Sequence, residues 1–167
     1  MNFLPEDYKK PETSDYMKLK EGENVFRVLS SAIVGYKYWT NEDKPVRSKE
    51  RILSKPDDIK TEKDGSFRIQ HFWAFLVWNY SAERVQVLEV PQSTIRDGMQ
   101  TLIDNKKWGD PKDYDISITR SGEGLETSYA VIPNPHSELE IDESNQIKVN
   151  SANLEALYEG KAVWGKE

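Results

Sequence analysis

Between Tyr36 and Trp78 the chain interleaves aromatic and basic side chains: Tyr36, Lys37, Tyr38 and Trp39, then Lys44, Arg47, Lys49 and Arg51, then Arg68, His71, Phe72, Trp73, Phe75 and Trp78. An aromatic face can stack on any exposed base while nearby Lys and Arg follow a phosphate backbone, so the mixture points to single-stranded nucleic acid. Lys44-Pro45-Val46-Arg47-Ser48 is the most specific part, because proline stiffens a segment that offers two cations and a hydroxyl to phosphate oxygens. The competing reading is a solvated loop, since Glu42, Asp43 and Glu50 sit among those cations. If about four phosphates are neutralised, affinity should fall about 50-fold between about 50 and 200 mM salt.

Other chemistries find less support. The two histidines, His71 and His136, are far apart and lack ligand-like spacing, which argues against a zinc site or a catalytic triad. His71 reads as a strand histidine with a satisfied hydrogen bond. Gly122-Glu123-Gly124 has the place of a hairpin turn, and no phosphate-cradling glycine motif with lysine is present. Asp110, Asp113 and Asp115 could hold Mg²⁺ for strand cleavage, but alternate acids near a turn are also what a solvated surface shows. No catalytic residue, metal site or cofactor is assigned.

The chain has 167 residues, 37% of them apolar, enough for one compact core. It has no cysteine, which removes disulfides and thiolate ligands and fits a reducing compartment. No apolar run approaches membrane-spanning length, and the first residues lack the pattern of a signal peptide. A soluble, cytoplasmic protein is expected. The net charge of −6 counts against a nucleic-acid partner, yet it is unevenly spread. Residues 1–80 carry 14 Lys and Arg against 13 Asp and Glu, a balance of +1, whereas residues 81–167 carry 9 against 16, a balance of −7. A phosphate chain responds to the local potential within a Debye length of about 8 Å, so the acidic total is permissible.

These residues need a scaffold. Residues 1–22 read as an extended polar arm that Leu4, Tyr8, Tyr16 and Leu19 could pin to the body. Glu23 to Trp39 is β-branched, aromatic and aliphatic, broken at Ser30-Ser31 and Gly35, and predicts one bent strand or two short ones. Residues 40–66 form a long polar connection, a length usually functional or disordered. Phe67 to Trp78 is the strongest strand, paired through a turn at 79–82 with Arg84 to Val90. Ser93 or Thr94 can cap a helix, with Thr94 and Asp97 at capping-box spacing. Ile95, Met99, Leu102 and Ile103 share its apolar face. Strands at 114–120 and 127–133 follow across a turn at 121–126. Residues 134–148 lose strand character, and Asn150 or Ser151 can cap a short closing helix with Leu154, Leu157 and Tyr158 on one side.

This order, three strands, a helix and two strands with a long loop after the first, is that of an OB-fold. Ligands in that five-stranded barrel lie across strands 2 and 3 and between the loops joining strands 1 to 2 and 4 to 5. Those elements are here 67–78, 84–90, 40–66 and 121–126.

The segments Tyr16 to Leu29, Gly35 to Thr40, Lys44 to Arg47, Trp108 to Pro111 and Tyr114 to Ile116 resemble bacteriophage single-stranded DNA-binding proteins over about residues 16–133. The resemblance implies an OB-fold that coats single-stranded DNA in phage replication or recombination within the host cytoplasm. It also implies that the Trp39, Lys44 and Arg47 region forms part of the groove. Two departures stand out. A Cys/His zinc site is impossible here, and the acids lie at 138–143 while the chain closes Val163-Trp164-Gly165-Lys166-Glu167, away from the acidic tail of many members.

The expected protein is mainly β: a five-stranded OB-fold barrel over 23–133 with one helix between strands 3 and 4, an arm over 1–22, and an acidic segment with a short helix over 134–167. Its partner is single-stranded DNA, with replication or recombination proteins as further partners. Tyr36, Tyr38, Trp39, Lys44, Arg47, Arg51 and Arg68 are the contact residues, with Trp73 the stacker on the central strand. Phe72, Phe75 and Trp78 are expected to pack. The alternative is a protein-interaction module of the same fold in a replication or virion-assembly complex.

Overall fold

The computed structural model describes residues 3–11 and 13–165; the parts of the expected arm and tail at Met1, Asn2, Glu12, Lys166 and Glu167 lie outside the described residues. Its frame is one antiparallel sheet of seven strands: β1 (Gly22–Val28), β2 (Ile33–Trp39), β3 (Pro45–Ser48), β4 (Gln70–Asn79), β5 (Arg84–Val90), β6 (Tyr114–Ser121) and β7 (Ser128–His136). The path runs β3-β2-β4-β1-β6-β7, with β5 on the other edge of β4. Among the described residues no ladder joins β5 to β7, so the sheet is not closed.

Five strands become seven for two local reasons. The first strand divides at Ser30-Ser31, and its halves share one edge of β4: β2 pairs with residues 70–74 and β1 with residues 77–79. Between them the backbone of β4 still needs partners. Leu29 N donates to Leu76 O (2.8 Å), and the Ser30 hydroxyl accepts from Leu76 N (2.9 Å), stitching the bend to the strand. The seventh strand, β3, arises inside the expected loop, where Pro45 to Ser48 pairs with Tyr36 to Trp39. Proline is tolerated at the first residue of such an edge strand.

β4 is buried on both faces, because apolar residues occupy both sets of its alternating positions. Phe75 and Val77 meet Phe26, Val28, Leu88, Val90, Ile116 and Ile118, and this core is covered by helix α1 (Ser93–Asp104) through Ile95, Met99 and Leu102. Phe72, Ala74 and Leu76 point the other way with Val87. Their cover comes from the C-terminal segment: helix α2 (Glu143–Ser151), a 3-10 turn over Leu154–Glu159, and the buried Leu157 and Val163.

Several local expectations need correction. The residue at the N-cap of α1 is Gln92, with no side-chain capping bond, so neither Ser93 nor Thr94 caps it. Ile103 is 37% exposed, at the margin of the apolar stripe. β7 continues past Pro133 to His136, whose Nε2 lies 2.9 Å from Trp108 O. Residues 134–148 therefore begin as strand and end as α2, capped by Asp142, which accepts from Asn145 N at 2.8 Å. Asn153, and not Asn150 or Ser151, precedes the closing turn. Of the arm residues, Tyr16 pairs with Val87 and Leu19 packs on the core, while Leu4 and Tyr8 stay about half exposed.

Candidate nucleic-acid interface

Alternation along β2 sends Tyr38 and Trp39 to opposite sides. Tyr38 is buried, and its hydroxyl donates to Asp58 Oδ1 at 3.0 Å. Burial first, and then that hydrogen bond, push its phenol above the ordinary tyrosine range. Trp39 is 42% exposed, with Lys37 Nζ 4.8 Å from its ring centroid.

The long connection is folded back on itself. Thr40 N donates to Lys44 O (2.8 Å), closing a turn that holds Asp43 at φ 59°. Asn41 N donates to Asp58 O (2.9 Å), and Lys60 N donates to Trp39 O (2.8 Å). The buried Ile59 anchors this return beneath the loop. Thr61 then bridges to Phe67 across a turn containing Gly65 at φ 85°, where Asp64 accepts from Ser66 N at 2.9 Å. Hydrogen bonds from Ser66 hold the Asp64 carboxyl below its ordinary range.

These turns bring Phe67 beside Trp39. The two rings line one cleft of about 490 Å³ together with Asp43, Lys60, Glu62, Ser66 and Arg68. Phe67 is 44% exposed, and Lys55 Nζ lies 5.2 Å from its ring centroid. Lys60 donates to Asp43 (2.7 Å), which raises its pKa through that hydrogen bond and the adjacent charge. Arg68 is exposed and forms no ion pair among the described residues. Chemically the cleft offers two partly exposed aromatic rings and, at its edge, one guanidinium outside any ion pair among the described residues; Lys37, near the Trp39 ring, is committed to Glu89, and Lys55 approaches Phe67 from outside the cleft lining.

The other sequence-predicted residues are distributed elsewhere. Arg47 lies on the Lys37 side of the sheet, with its side chain 11% exposed and bound to Glu89 of β5. Glu89 also receives Lys37, so one carboxylate holds two cations. Lys44 is exposed, 3.7 Å from Glu42, and with Arg47 lines a separate groove of about 780 Å³ between β3 and the C-terminal segment. Arg51 is exposed in the connection, outside these contacts. Tyr36 and Trp73 lie on the opposite sheet face. The Tyr36 ring is 5.1 Å from that of His71, whose Nδ1 bonds Gly35 O at 2.8 Å. Trp73 packs against the main core and lines an apolar pocket with Phe75, Met99 and Ile103.

Trp39 and Arg68 thus meet, joined by two residues outside the expected contact set, Phe67 and Lys60. The available signal was position. Phe67 lies three residues before β4 begins, directly after the Gly65-Ser66 turn, where an aromatic has not yet entered the sheet.

Asp110, Asp113 and Asp115 form no shared cradle. Asp115 accepts from Arg27 Nε (2.8 Å) and from the Tyr80 hydroxyl (2.8 Å), while Asp110 accepts from Lys112 N (2.9 Å). Among the described residues no group of three or more His, Asp or Glu is placed to hold a metal ion, and no helix is long and apolar enough to cross a membrane.

Over 141 residues the chain is 28% identical to a protein of Escherichia phage T5 named "probable ssDNA-binding protein", a match covering 70% of this chain and 54% of that protein. The chain therefore spans about half the length of that relative. No family model and no solved structure matches it.

Proposed function

We propose that this chain binds single-stranded DNA, stacking bases in the Trp39–Phe67 cleft while Arg68 and Lys55 meet the adjoining phosphates. One observation carries the reading: two aromatic rings, each more than two-fifths exposed, share a cleft with an arginine that has no carboxylate partner among the described residues. The name of the phage T5 relative supports it.

The physical logic favours single strands. In a duplex each base is already stacked, so its faces are not available to Trp39 or Phe67. A single strand offers both faces, at about 1–3 kcal/mol per stacked base, and every base has such a face, so little sequence preference follows. Asp43 and Glu62 keep the cleft nearly neutral, so stacking supplies more of the affinity than charge does.

In this reading β1 and β2 together form the bent first strand of an OB-type arrangement, β4, β5, β6 and β7 are the other four, and the connection carrying Asp43, Lys60 and Phe67 is its ligand-gripping loop. The arm over 1–22, the body over 23–133 and the appendage over 134–167 follow the same plan. The protein coats DNA during phage replication or recombination in the host cytoplasm, with no catalytic step.

The test is fluorescence anisotropy with labelled oligothymidine, using a duplex of equal length as control. Preference for the single strand is expected, reduced by Trp39→Ala and Phe67→Ala. Equal affinity for both forms, or none for either, sinks the reading.

A further inference from the structure

Arg68 faces two ways. Besides the aromatic cleft it lines a second pocket, of about 390 Å³, where the start of β4 meets the β5–α1 junction and the start of β7. This pocket is bounded by Arg96, His71, Ser93, Thr94 and Tyr129 among other residues, and by no carboxylate. That composition is unusual for a chain with 29 acidic residues and a net charge of −6. The Trp39 cleft contains Asp43 and Glu62, and the groove beside β3 contains Glu42 and Asp58.

Among the described residues Arg96 has no counter-ion there. Its Nη2 reaches only Pro91 O, at 3.5 Å, and its Nε is buried without a hydrogen-bond partner. Two guanidinium groups thus face one acid-free space, an arrangement that a phosphate would relieve. Arginine and phosphate match as fork to fork, and such charge-assisted bonds are roughly twice as strong as neutral ones.

We infer that the pocket at Arg96 seats a backbone phosphate of the same strand whose bases stack between Trp39 and Phe67, with Arg68 joining the two subsites; this rests on the single-strand reading above. The strand then runs from the aromatic cleft past Arg68 toward α1 and β7, and does not turn toward the groove at Lys44 and Arg47.

Two variants test the path. Arg96→Gln removes one phosphate contact, so the single-strand salt slope should fall by about 0.7, and the affinity loss between about 50 and 200 mM salt should shrink by about 2.6-fold. Thr94→Asp places a carboxylate at the pocket from an exposed position in the first turn of α1, which has no acid there. A negative charge at that end of a helix is tolerated or stabilising, so folding is preserved. Affinity for an oligothymidine of about 12 nucleotides should nonetheless fall about threefold, the effect of one charge repelled at about 6 Å in water.

Wild-type slope and affinity in both variants, while Trp39→Ala still weakens binding, would overturn the inference and leave the single-strand reading standing. Absence of single-strand preference in the wild type overturns both. A pocket built for free phosphate would let inorganic phosphate, at constant ionic strength, raise the melting temperature of wild type but not of Arg96→Gln, with the DNA salt slope unchanged. That outcome also defeats the assignment to the strand.

Discussion

Arg47 Nε and Nη2 both lie 2.9 Å from Glu89 Oε2, across the two intervening strands β2 and β4, with Lys37 on the other carboxylate oxygen. All three side chains are about nine-tenths buried, so a guanidinium that the sequence offers to DNA is held inside the protein by an acid 42 residues away.

Glu89→Gln should therefore destabilise the fold. It leaves Lys37 and Arg47 without their counter-charge in a poorly solvated place, a loss of about 3–5 kcal/mol in a buried pair. Lys37→Met should cost less, because Arg47 keeps its partner. Urea denaturation measures both. Arg47→Ala should lower stability while leaving the salt slope of DNA binding unchanged, and a reduced slope would show that Arg47 reaches phosphate after all.

Trp39→Ala and Phe67→Ala should each weaken oligothymidine binding by about 1–3 kcal/mol, roughly 5- to 150-fold, with little change in salt dependence. Arg68→Ala should do the converse, lowering the slope by about 0.7 at a modest cost in affinity. Titrations at two ionic strengths separate the two classes. Equal slopes in all three variants would contradict this division of labour.

Trp73→Ala acts on folding. The ring packs against the core on the sheet face opposite Trp39, and it is only partly buried. The loss should fall at or below the lower end of the about 3–5 kcal/mol seen for fully buried aromatics. DNA affinity of the folded variant should match wild type. A large drop in affinity at full folding would return Trp73 to the binding surface.

Tyr80 couples stability to alkaline pH. Burial first, and then its hydrogen bond to Asp115, push the phenol up to about 12. The folded protein keeps this proton where the unfolded chain, with an ordinary pKa near 10, has lost it. The stabilisation is thus complete below about pH 10 and disappears as pH rises toward 12. Asp115→Asn should lower the phenol's pKa in an ultraviolet titration and flatten that decline. A Tyr80 titrating near 10 in the wild type would contradict it.

Much of the framework follows from the chain's own patterning. Period-two alternation marks β4, β5 and β6, and spacing at i, i+4 and i+7 marks α1, because those repeats place apolar groups on one face whatever surrounds them. Alternation likewise puts Trp39 and Lys37 on one side and Tyr36 and Tyr38 on the other. Weak local signals leave other elements unannounced. β3 is four residues long and begins at proline, while α2 is polar with Ile147 and Val149 only two apart, so its place depends on the sheet it covers.

Packing of Phe72 and Phe75 is expected from the sequence, but what seals each ring, and that Phe67 stays accessible, is decided by tertiary structure. Phe67, Phe72 and Phe75 are alike as residues, yet Phe72 is sealed by the C-terminal segment, Phe75 by β1 and α1, and Phe67 stays open because its turn stops short of the sheet. Charge follows the same rule. Arg47 and Arg68 carry the same group, but Glu89 approaches only one of them, and a cation's availability depends on partners that folding brings from far along the chain.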